Sequence, residues 1–220
     1  MKTLPQDATL DEIRPALAPM IASNAAFDGW SDAARDTAAD TLGVDRDIAA
    51  LAFPGGAVDM IDAWFAHIDR TMTELLPAER LATMKVRDRI TALIEVRLAE
   101  IAPNREALRR GIAILAMPQN IARGAKLGWR AADLMWRAAG DMATDYNHYT
   151  KRMILAGVYG ATITIFLDDQ SDSWADTHAF LARRIDGIMR FEKAKAGFVR
   201  RTEHFPSLSR LIGRLRYPAI

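Results

Sequence analysis

The fold is decided by the stretch GWSDAARDTAADTLGVDRDIAALAFPGG, residues 29–56, where two short helical patterns are separated by turn residues. Ser31 can cap the first helix, because a serine oxygen accepts hydrogen bonds from the free amides at a helix N-terminus. Gly43 can end that helix, since glycine tolerates the left-handed conformation common after a helix. A Pro-Gly-Gly run then precedes the next helical pattern. The stretch therefore predicts a helix-turn-helix arrangement.

The spacing of apolar residues is helical along the rest of the chain as well, and no segment shows the sustained alternation of a strand. With 220 residues, half of them apolar, the chain can bury a substantial core. We predict an all-α fold with a head at 1–55, a larger body at 56–200 and a tail at 201–220. The predicted helices cover 9–27, 31–42, 45–52, 56–76, 78–101, 104–116, 120–139, 145–168, 173–200 and 206–215.

Several features of the sequence predict a cytoplasmic protein. The chain has no cysteine, which is consistent with a reducing compartment. Its first residues lack the apolar core of a signal peptide and carry too many acids for a transit peptide. The longest uncharged run, Met153 to Leu167, is shorter than the roughly 20 residues that a membrane-spanning helix needs.

The sequence carries no recognisable catalytic signature. Its four histidines stand in no HExxH or ExxH arrangement, and the motifs GxSxG, GxxxxGK[ST] and GxGxxG do not occur. We therefore expect a protein that is not an enzyme and that has no metal and no cofactor.

The helix order of residues 29–56, with Gly-Val closing the turn and Phe-Pro starting the next helix, resembles the head of TetR-type regulators. Residues 31–53, however, hold five aspartates against two arginines, a net charge of −3. Duplex DNA is bound largely through Lys and Arg on phosphates, so we expect no nucleic-acid binding. A TetR-family transcriptional regulator with a hydrophobic small-molecule ligand is kept as the alternative function.

A polar segment runs into an apolar one in AAGDMATDYNHYTKRMILAGVYG, residues 138–160. If Thr144 caps this helix, then Asp145, His148 and Arg152 are spaced i, i+3 and i+7 and share one face. They could form a lip that faces a partner, although Asp145 could also serve only to stabilise the helix N-terminus. Trp136 lies just upstream, and an exposed tryptophan beside such a lip would be typical of a binding hot spot.

Three runs carry a more specific resemblance: MPQNI at 117–121, DLMWRAAGDMATDYNHYTKRMILAGVY at 133–159 and DTHAFLARRID at 176–186. They resemble the ubiquinone (coenzyme Q) biosynthesis accessory protein family numbered nine in the coenzyme Q series. The resemblance implies a TetR-like all-α homodimer that does not regulate transcription. It also implies a body that binds lipids and isoprenoid quinone precursors and presents them to a demethoxyubiquinone hydroxylase.

The resemblance further implies residues for contact with that partner and for the lipid. His148 stands where eukaryotic members commonly carry Trp; a Trp anchor contributes by the area it buries, so His148 should weaken the contact or signal a different partner. The implied partner-binding residues are Asp133, Met135, Trp136, Gly140, Asp141, Asp145, Asn147, His148, Tyr149 and Arg152. The apolar residues expected to line a lipid cavity are Leu93, Val96, Ile112, Leu115, Met153 and Val158.

The C-terminal run FPSLSRLIGRLRYPAI, residues 205–220, has the pattern of a short basic amphipathic helix. Residues 189–220 hold eight Lys or Arg against two Glu, so this end can bind an anionic membrane surface. The alternative is that the tail packs on the body or on a dimer mate. We predict peripheral association with the inner face of the membrane through Phe205, Leu208, Arg210, Leu211, Ile212, Arg214 and Leu215.

Overall fold

A computed structural model describes residues 7–141 and 146–202, with side chains for all of these except 146, 147, 189 and 191–202. Within those ranges the chain forms α-helices and no β-strand, which agrees with the predicted all-α class. Two short 3₁₀ turns lie at Ala102–Asn104 and Asp172–Trp174. The helices are α1 (Leu10–Asp28), α2 (Asp32–Leu42), α3 (Arg46–Ala52), α4 (Ala57–Leu75), α5 (Ala78–Ala82), α6 (Val86–Ile101), α7 (Arg105–Leu115), α8 (Ile121–Ala138), α9 (Tyr146–Asp168) and α10 (Ala175–Thr202).

The predicted capping of the helix-turn-helix stretch is confirmed. The hydroxyl of Ser31 accepts a hydrogen bond from the amide of Ala34 at 3.3 Å. Gly43 ends α2 with a φ of +67°, a left-handed conformation in which a side chain would be strained. Asp45 caps α3 by accepting from the amides of Asp47 and Ile48.

One predicted helix, 78–101, is in fact two helices, α5 and α6. The hydroxyl of Thr83 donates to the carbonyl of Arg80, and the guanidinium of Arg89 donates to the carbonyls of Ala82 and Met84. Side chains therefore satisfy the backbone carbonyls at the break between α5 and α6. Because this break involves no glycine or proline, the sequence did not predict it. The predicted helix at 206–215 lies outside the described residues.

The first helices share a core with the helices that follow them. Leu17, Ile21 and Ala25 of α1 are fully buried where α1 packs against α2, α3 and α4. The indole nitrogen of Trp30 donates to the carbonyl of Ala107 in α7 at 2.8 Å, and its ring lies 5.5 Å from that of Trp64. The head is thereby tied to α4 and α7.

The chain divides into two compact units, Met1–Leu181 and Ala182–Ile220. In the first unit, α8 packs along α9, and α4, α6 and α7 pack around this pair. The division into a head at 1–55, a body at 56–200 and a tail at 201–220 stays a prediction.

Within the described ranges, no single helix is long and apolar enough to cross a membrane. The pair α3 and α4, which bends by 79°, meets the length and composition criteria only when the two helices are taken together.

Candidate ligand and partner site

A cavity of about 420 Å³ lies among α6, α7, α8 and α9 in the first unit. Its walls are mostly apolar, and its size falls in the range of about 300–1,000 Å³ typical of small-molecule sites. The lining residues are Phe65, Arg97, Ile112, Leu115, Ala116, Ile121, Gly124, Ala125, Leu127, Gly128, Ala131, Ala156, Tyr159, Gly160, Ile163 and Thr164.

The cavity exists because α8 and α9 present glycines and alanines where larger side chains would fill it. A Cβ atom built on Gly128 or on Gly160 would meet nothing within 4 Å beyond the adjacent residues and backbone of its own helix. Gly124 differs, because its Cβ would lie 3.3 Å from the Cβ of Leu115, which indicates a close approach of α8 to α7. The cavity is thus bounded by the close contact between α7 and α8 at Gly124 and by Gly128 and Gly160, which have no side chain to fill it.

The polar part of the cavity is built on Arg97, whose side chain is almost fully buried. Its Nε donates to the hydroxyl of Tyr159 at 3.0 Å, and its Nη1 donates to a carboxylate oxygen of Asp69. Burial alone would lower the pKa of Arg97, but the interactions with Tyr159 and Asp69 outweigh it and raise the pKa. The guanidinium is therefore charged inside the fold.

Asp69 connects this arginine to a series of ion pairs between α4 and α8. Its second oxygen accepts from Nε of Arg130 at 3.1 Å, and Arg130 also donates to Asp62 at 2.5 Å. Further along, Arg123 donates to Asp59 at 2.6 Å. Three aspartates of α4 are thus matched by three arginines, so the formal charges of these six side chains cancel.

A second ionic cluster holds the other end of the α8–α9 pair. Arg152, also almost fully buried, donates from Nε to Asp133 at 2.5 Å and from Nη1 to Asp141 at 3.1 Å. Lys151 donates to Asp141 at 2.7 Å. Burial alone would raise the pKa of Asp141, but hydrogen bonds from Lys151 and Arg152 outweigh it and lower the pKa.

This geometry corrects one expectation from the sequence. Arg152 was predicted on an exposed lip with His148, but its side chain points inward, and its Nη1 also donates to the carbonyl of His148. Helical spacing predicts which residues share a face; it does not predict that the partly buried carboxylates of Asp133 and Asp141 draw a cation into the fold. Met135, on α8, is likewise fully buried.

A partly exposed surface lies beside this cluster and is called the aromatic patch; it consists of the half-buried rings of Trp129 and His148 and the exposed side chains of Tyr149 and Met153. Tyr149 is 58% exposed, its ring 6.1 Å from that of Trp129 and 5.1 Å from that of His148. Met153 is 64% exposed and lies one turn after Tyr149 on the same helix face. Met153 was predicted to line the lipid cavity, but it is not part of the lining.

Trp136 lies at the edge of the ionic cluster. Its indole nitrogen donates to the carbonyl of Lys151 at 2.9 Å, and the ammonium of Lys151 lies 5.4 Å from its ring centroid. Gly140, with a φ of +87°, follows α8, where Arg89 donates to the carbonyl of Ala139 at 2.7 Å. These residues hold the end of α8 and leave part of the indole accessible.

Two of the residues expected around the lipid, Ile112 and Leu115, do line the cavity. Leu93 is fully buried in the core, while Val96 and Val158 are half-buried away from the lining. The expected site residues outside the described side chains are Asp145, Asn147, Phe205, Leu208, Arg210, Leu211, Ile212, Arg214 and Leu215.

Arg97 and Tyr159 were not singled out from the sequence, although a signal for Arg97 was present. Arg97 occupies an apolar stripe of α6 with Ile90, Ile94 and Ile101, and a charged residue in such a stripe indicates a buried partner. Among the residues that the structure describes, no group of three His, Asp or Glu side chains is placed to hold a metal ion.

The helix that would read DNA in a TetR-type head offers little for that purpose. Arg46 of α3 is paired with Asp40 at 2.6 Å, and the exposed large side chains of α3 include Ile48 and Leu51. Base reading needs polar side chains that can donate or accept in the groove.

The architecture defines the class of the protein, an all-α TetR-like fold. A solved TetR transcriptional regulator from Nitrosomonas europaea is similar with a TM-score of 0.64 and 23% sequence identity, covering 79% of this chain and 96% of that one. At this identity the likeness establishes the fold alone.

The family comes from the sequence comparisons. The COQ9 family model matches residues 121–192, which begin with α8 and contain all of α9. "Ubiquinone biosynthesis protein COQ9, mitochondrial" is 31% identical over 167 residues in Rattus norvegicus, covering 73% of this chain and 54% of that protein. The Bos taurus protein of the same name is 32% identical over 171 residues, covering 73% and 52%. The chain spans about half the length of these relatives. The predicted resemblance is confirmed: this is a COQ9-type chain with a TetR-like fold.

Proposed function

We propose that the protein acts in ubiquinone biosynthesis as a lipid-binding accessory protein and not as an enzyme. It binds an isoprenoid quinone intermediate in the cavity and presents it to a ring hydroxylase of the demethoxyubiquinone type. The observation that carries the proposal is the glycine-walled apolar cavity, because two of its walls, α8 and α9, belong to the segment matched by the COQ9 family.

The chemistry of the walls supports a lipid ligand. Burying a methylene group contributes about 0.8 kcal/mol, so a few isoprene carbons against Ile112, Leu115 and Ile163 supply several kcal/mol of binding free energy. No cofactor is needed for such a role.

The test is to fill the cavity without disturbing the scaffold. Gly160→Leu places a side chain into the empty space from α9, where a Cβ meets nothing within 4 Å. Gly157→Leu is the matched control, because Gly157 lies on the same helix, is exposed and is not part of the lining. Organic extraction and mass spectrometry of the purified proteins should recover lipid from wild type and Gly157→Leu but not from Gly160→Leu. Equal recovery from all three would refute cavity binding.

The aromatic patch, together with Trp136 at the edge of the neighbouring ionic cluster, is the proposed contact for the hydroxylase. Exposed aromatic side chains are enriched among the residues that dominate protein interfaces. In cells that carry the variant as their only copy, Tyr149→Ala or Trp136→Ala should lower ubiquinone and accumulate a demethoxy precursor. Phe27→Ala, which removes an aromatic ring that is 85% exposed on α1, is the control and should leave both levels unchanged. Normal quinone levels in a folded Tyr149→Ala protein would count against the patch.

We also propose that the protein forms a homodimer and works at the inner face of the membrane. The basic tail supports membrane association through its net charge. Removal of residues 203–220 should reduce co-sedimentation with vesicles that contain phosphatidylglycerol. The shortened protein should still sediment as a dimer in the absence of vesicles. Unchanged vesicle binding would assign the tail to packing instead.

A further inference from the structure

The cavity has a polar site that the lipid-binding proposal does not use. Arg97 and Tyr159 both line the cavity, and they bond to each other through Nε and the phenolic oxygen. Among the described residues, no atom accepts a hydrogen bond from Nη2 of Arg97 or from the hydroxyl of Tyr159. Two donors therefore remain beside a space whose walls are otherwise largely apolar.

One of these donors, Nη2 of Arg97, retains some accessibility although the side chain as a whole is almost fully buried. No fully buried side-chain nitrogen or oxygen in the described part of the chain lacks a hydrogen-bond partner. Nη2 of Arg97 has none, so it retains contact with open space, and the space that adjoins Arg97 is the cavity. A ligand oxygen placed there could accept from both Arg97 and Tyr159.

The charge balance selects the kind of oxygen. Asp69 neutralises Arg97, and the arginines and aspartates further along the same network also cancel. A carboxylate or phosphate in the cavity would bring an uncompensated charge into a space of low polarity, which is costly. A neutral carbonyl, methoxy or phenol oxygen would gain the hydrogen bonds without that cost.

We propose that Arg97 and Tyr159 determine ligand specificity by binding a neutral acceptor oxygen on the ring of an amphiphile, while Asp69 excludes anionic lipids. This inference rests on the proposed function, since it assumes that the cavity holds a lipid. It adds that the ring end of the ligand lies at Arg97 of α6, and it predicts that fatty acids and phospholipid head groups bind poorly there.

The experiment compares three probes by displacement of the neutral dye Nile red from the full-length protein. Decylubiquinone carries ring oxygens, decylbenzene has a similar tail without them, and dodecanoate is anionic. Wild type should bind decylubiquinone about tenfold more tightly than decylbenzene, as expected for one or two net hydrogen bonds. Dodecanoate should bind more weakly than decylubiquinone.

Two variants separate specificity from structure. Tyr159→Phe keeps the ring but removes the hydroxyl, and should lower affinity for decylubiquinone about tenfold while decylbenzene binds as before. Asp69→Asn leaves Arg97 less compensated and should improve dodecanoate relative to decylubiquinone about tenfold.

The failures are distinguishable. An undiminished preference for decylubiquinone in Tyr159→Phe, or dodecanoate as the tightest ligand of wild type, overturns the assignment of Arg97 and Tyr159 while lipid binding stands. Absence of binding by all three probes and by Nile red, with no difference between wild type and Gly160→Leu, refutes the proposed function itself. If either variant unfolds by circular dichroism, the wild-type ranking of the three probes decides.

Discussion

The α8–α9 pair is built differently at its two ends. At one end, beside the aromatic patch, Arg152 draws Asp133 and Asp141 into a compact ionic cluster. At the other end, Gly128 and Gly160 leave a cavity. The same two helices therefore combine a rigid contact with an empty space.

The difference suggests that one end of the pair contributes mainly to stability and the other mainly to ligand binding. Buried charges that depend on one another are costly to disturb, whereas a glycine wall can be altered with little strain. Substitutions at the ionic end, around Arg152, should mainly affect folding. Substitutions at the hollow end, around Gly128 and Gly160, should mainly affect ligand binding.

The largest expected effect is at the ionic end. Arg152→Met should lower the free energy of unfolding by about 3 kcal/mol, because two partly buried carboxylates lose a shared cation. Arg137→Met is the control: Arg137 pairs with the same Asp133 but is exposed, so its loss should cost no more than about 0.5 kcal/mol. Urea unfolding followed by tryptophan fluorescence measures both, and equal losses would remove the distinction between the two ends.

A second, smaller effect is expected at the turn after α9, beyond the hollow end. Asp169 accepts hydrogen bonds from the amide and hydroxyl groups of Ser171 and Thr177. Asp169→Ala should lower the free energy of unfolding by about 2 kcal/mol at neutral pH, since charged groups make the stronger hydrogen bonds. Asp168→Ala, at an exposed neighbour paired with Arg109, should cost about 0.5 kcal/mol or less.

The contribution of Asp169 should depend on pH. Burial alone would raise its pKa, but the hydrogen bonds from Ser171 and Thr177 outweigh burial and hold the pKa far below its ordinary value. A carboxylate with a lowered folded-state pKa stabilises the fold above the unfolded pKa of about 3.9, and that stabilisation is lost as the pH falls further. The stability gap between wild type and Asp169→Ala should be constant from neutral pH to about 5 and shrink below about 4. A gap that widens in acid would contradict this.

The smallest expected effect is a difference in stability between two alanine substitutions in α8, at Gly128 and at Gly124. Gly128→Ala should raise stability by up to about 1 kcal/mol, because alanine favours helix and its Cβ meets nothing within 4 Å. Gly124→Ala meets Leu115 at 3.3 Å, so Leu115 must shift and the gain should vanish or reverse. Thermal unfolding of the two variants measures the difference. Equal gains would show that α8 is no closer to α7 at Gly124 than at Gly128.

Most helix bounds could be predicted because their signals are local. Ser31, Gly43 and the Pro-Gly-Gly run after Phe53 act through neighbouring backbone groups, and α1, α2 and α9 begin and end within one or two residues of the prediction. The break between α5 and α6 could not be predicted, because Thr83 and Arg89 make it with side-chain hydrogen bonds.

The site was harder to predict because its contacts join distant parts of the chain. Arg97 meets Asp69 and Tyr159, which are 28 and 62 residues away in sequence. The family resemblance located the α8–α9 segment, but it did not show that Arg152 is internal. Nor does helical spacing show that Gly160 borders the cavity.

The glycines at 128 and 160 also make the size of the cavity a graded quantity. Each lies within a helix whose backbone hydrogen bonds do not depend on the residue type, so Ala, Val and Leu at either position shorten the space by steps of one or two carbon atoms. Under the proposed lipid-binding function, single substitutions at either position should therefore set the length of hydrocarbon tail that fits in the cavity.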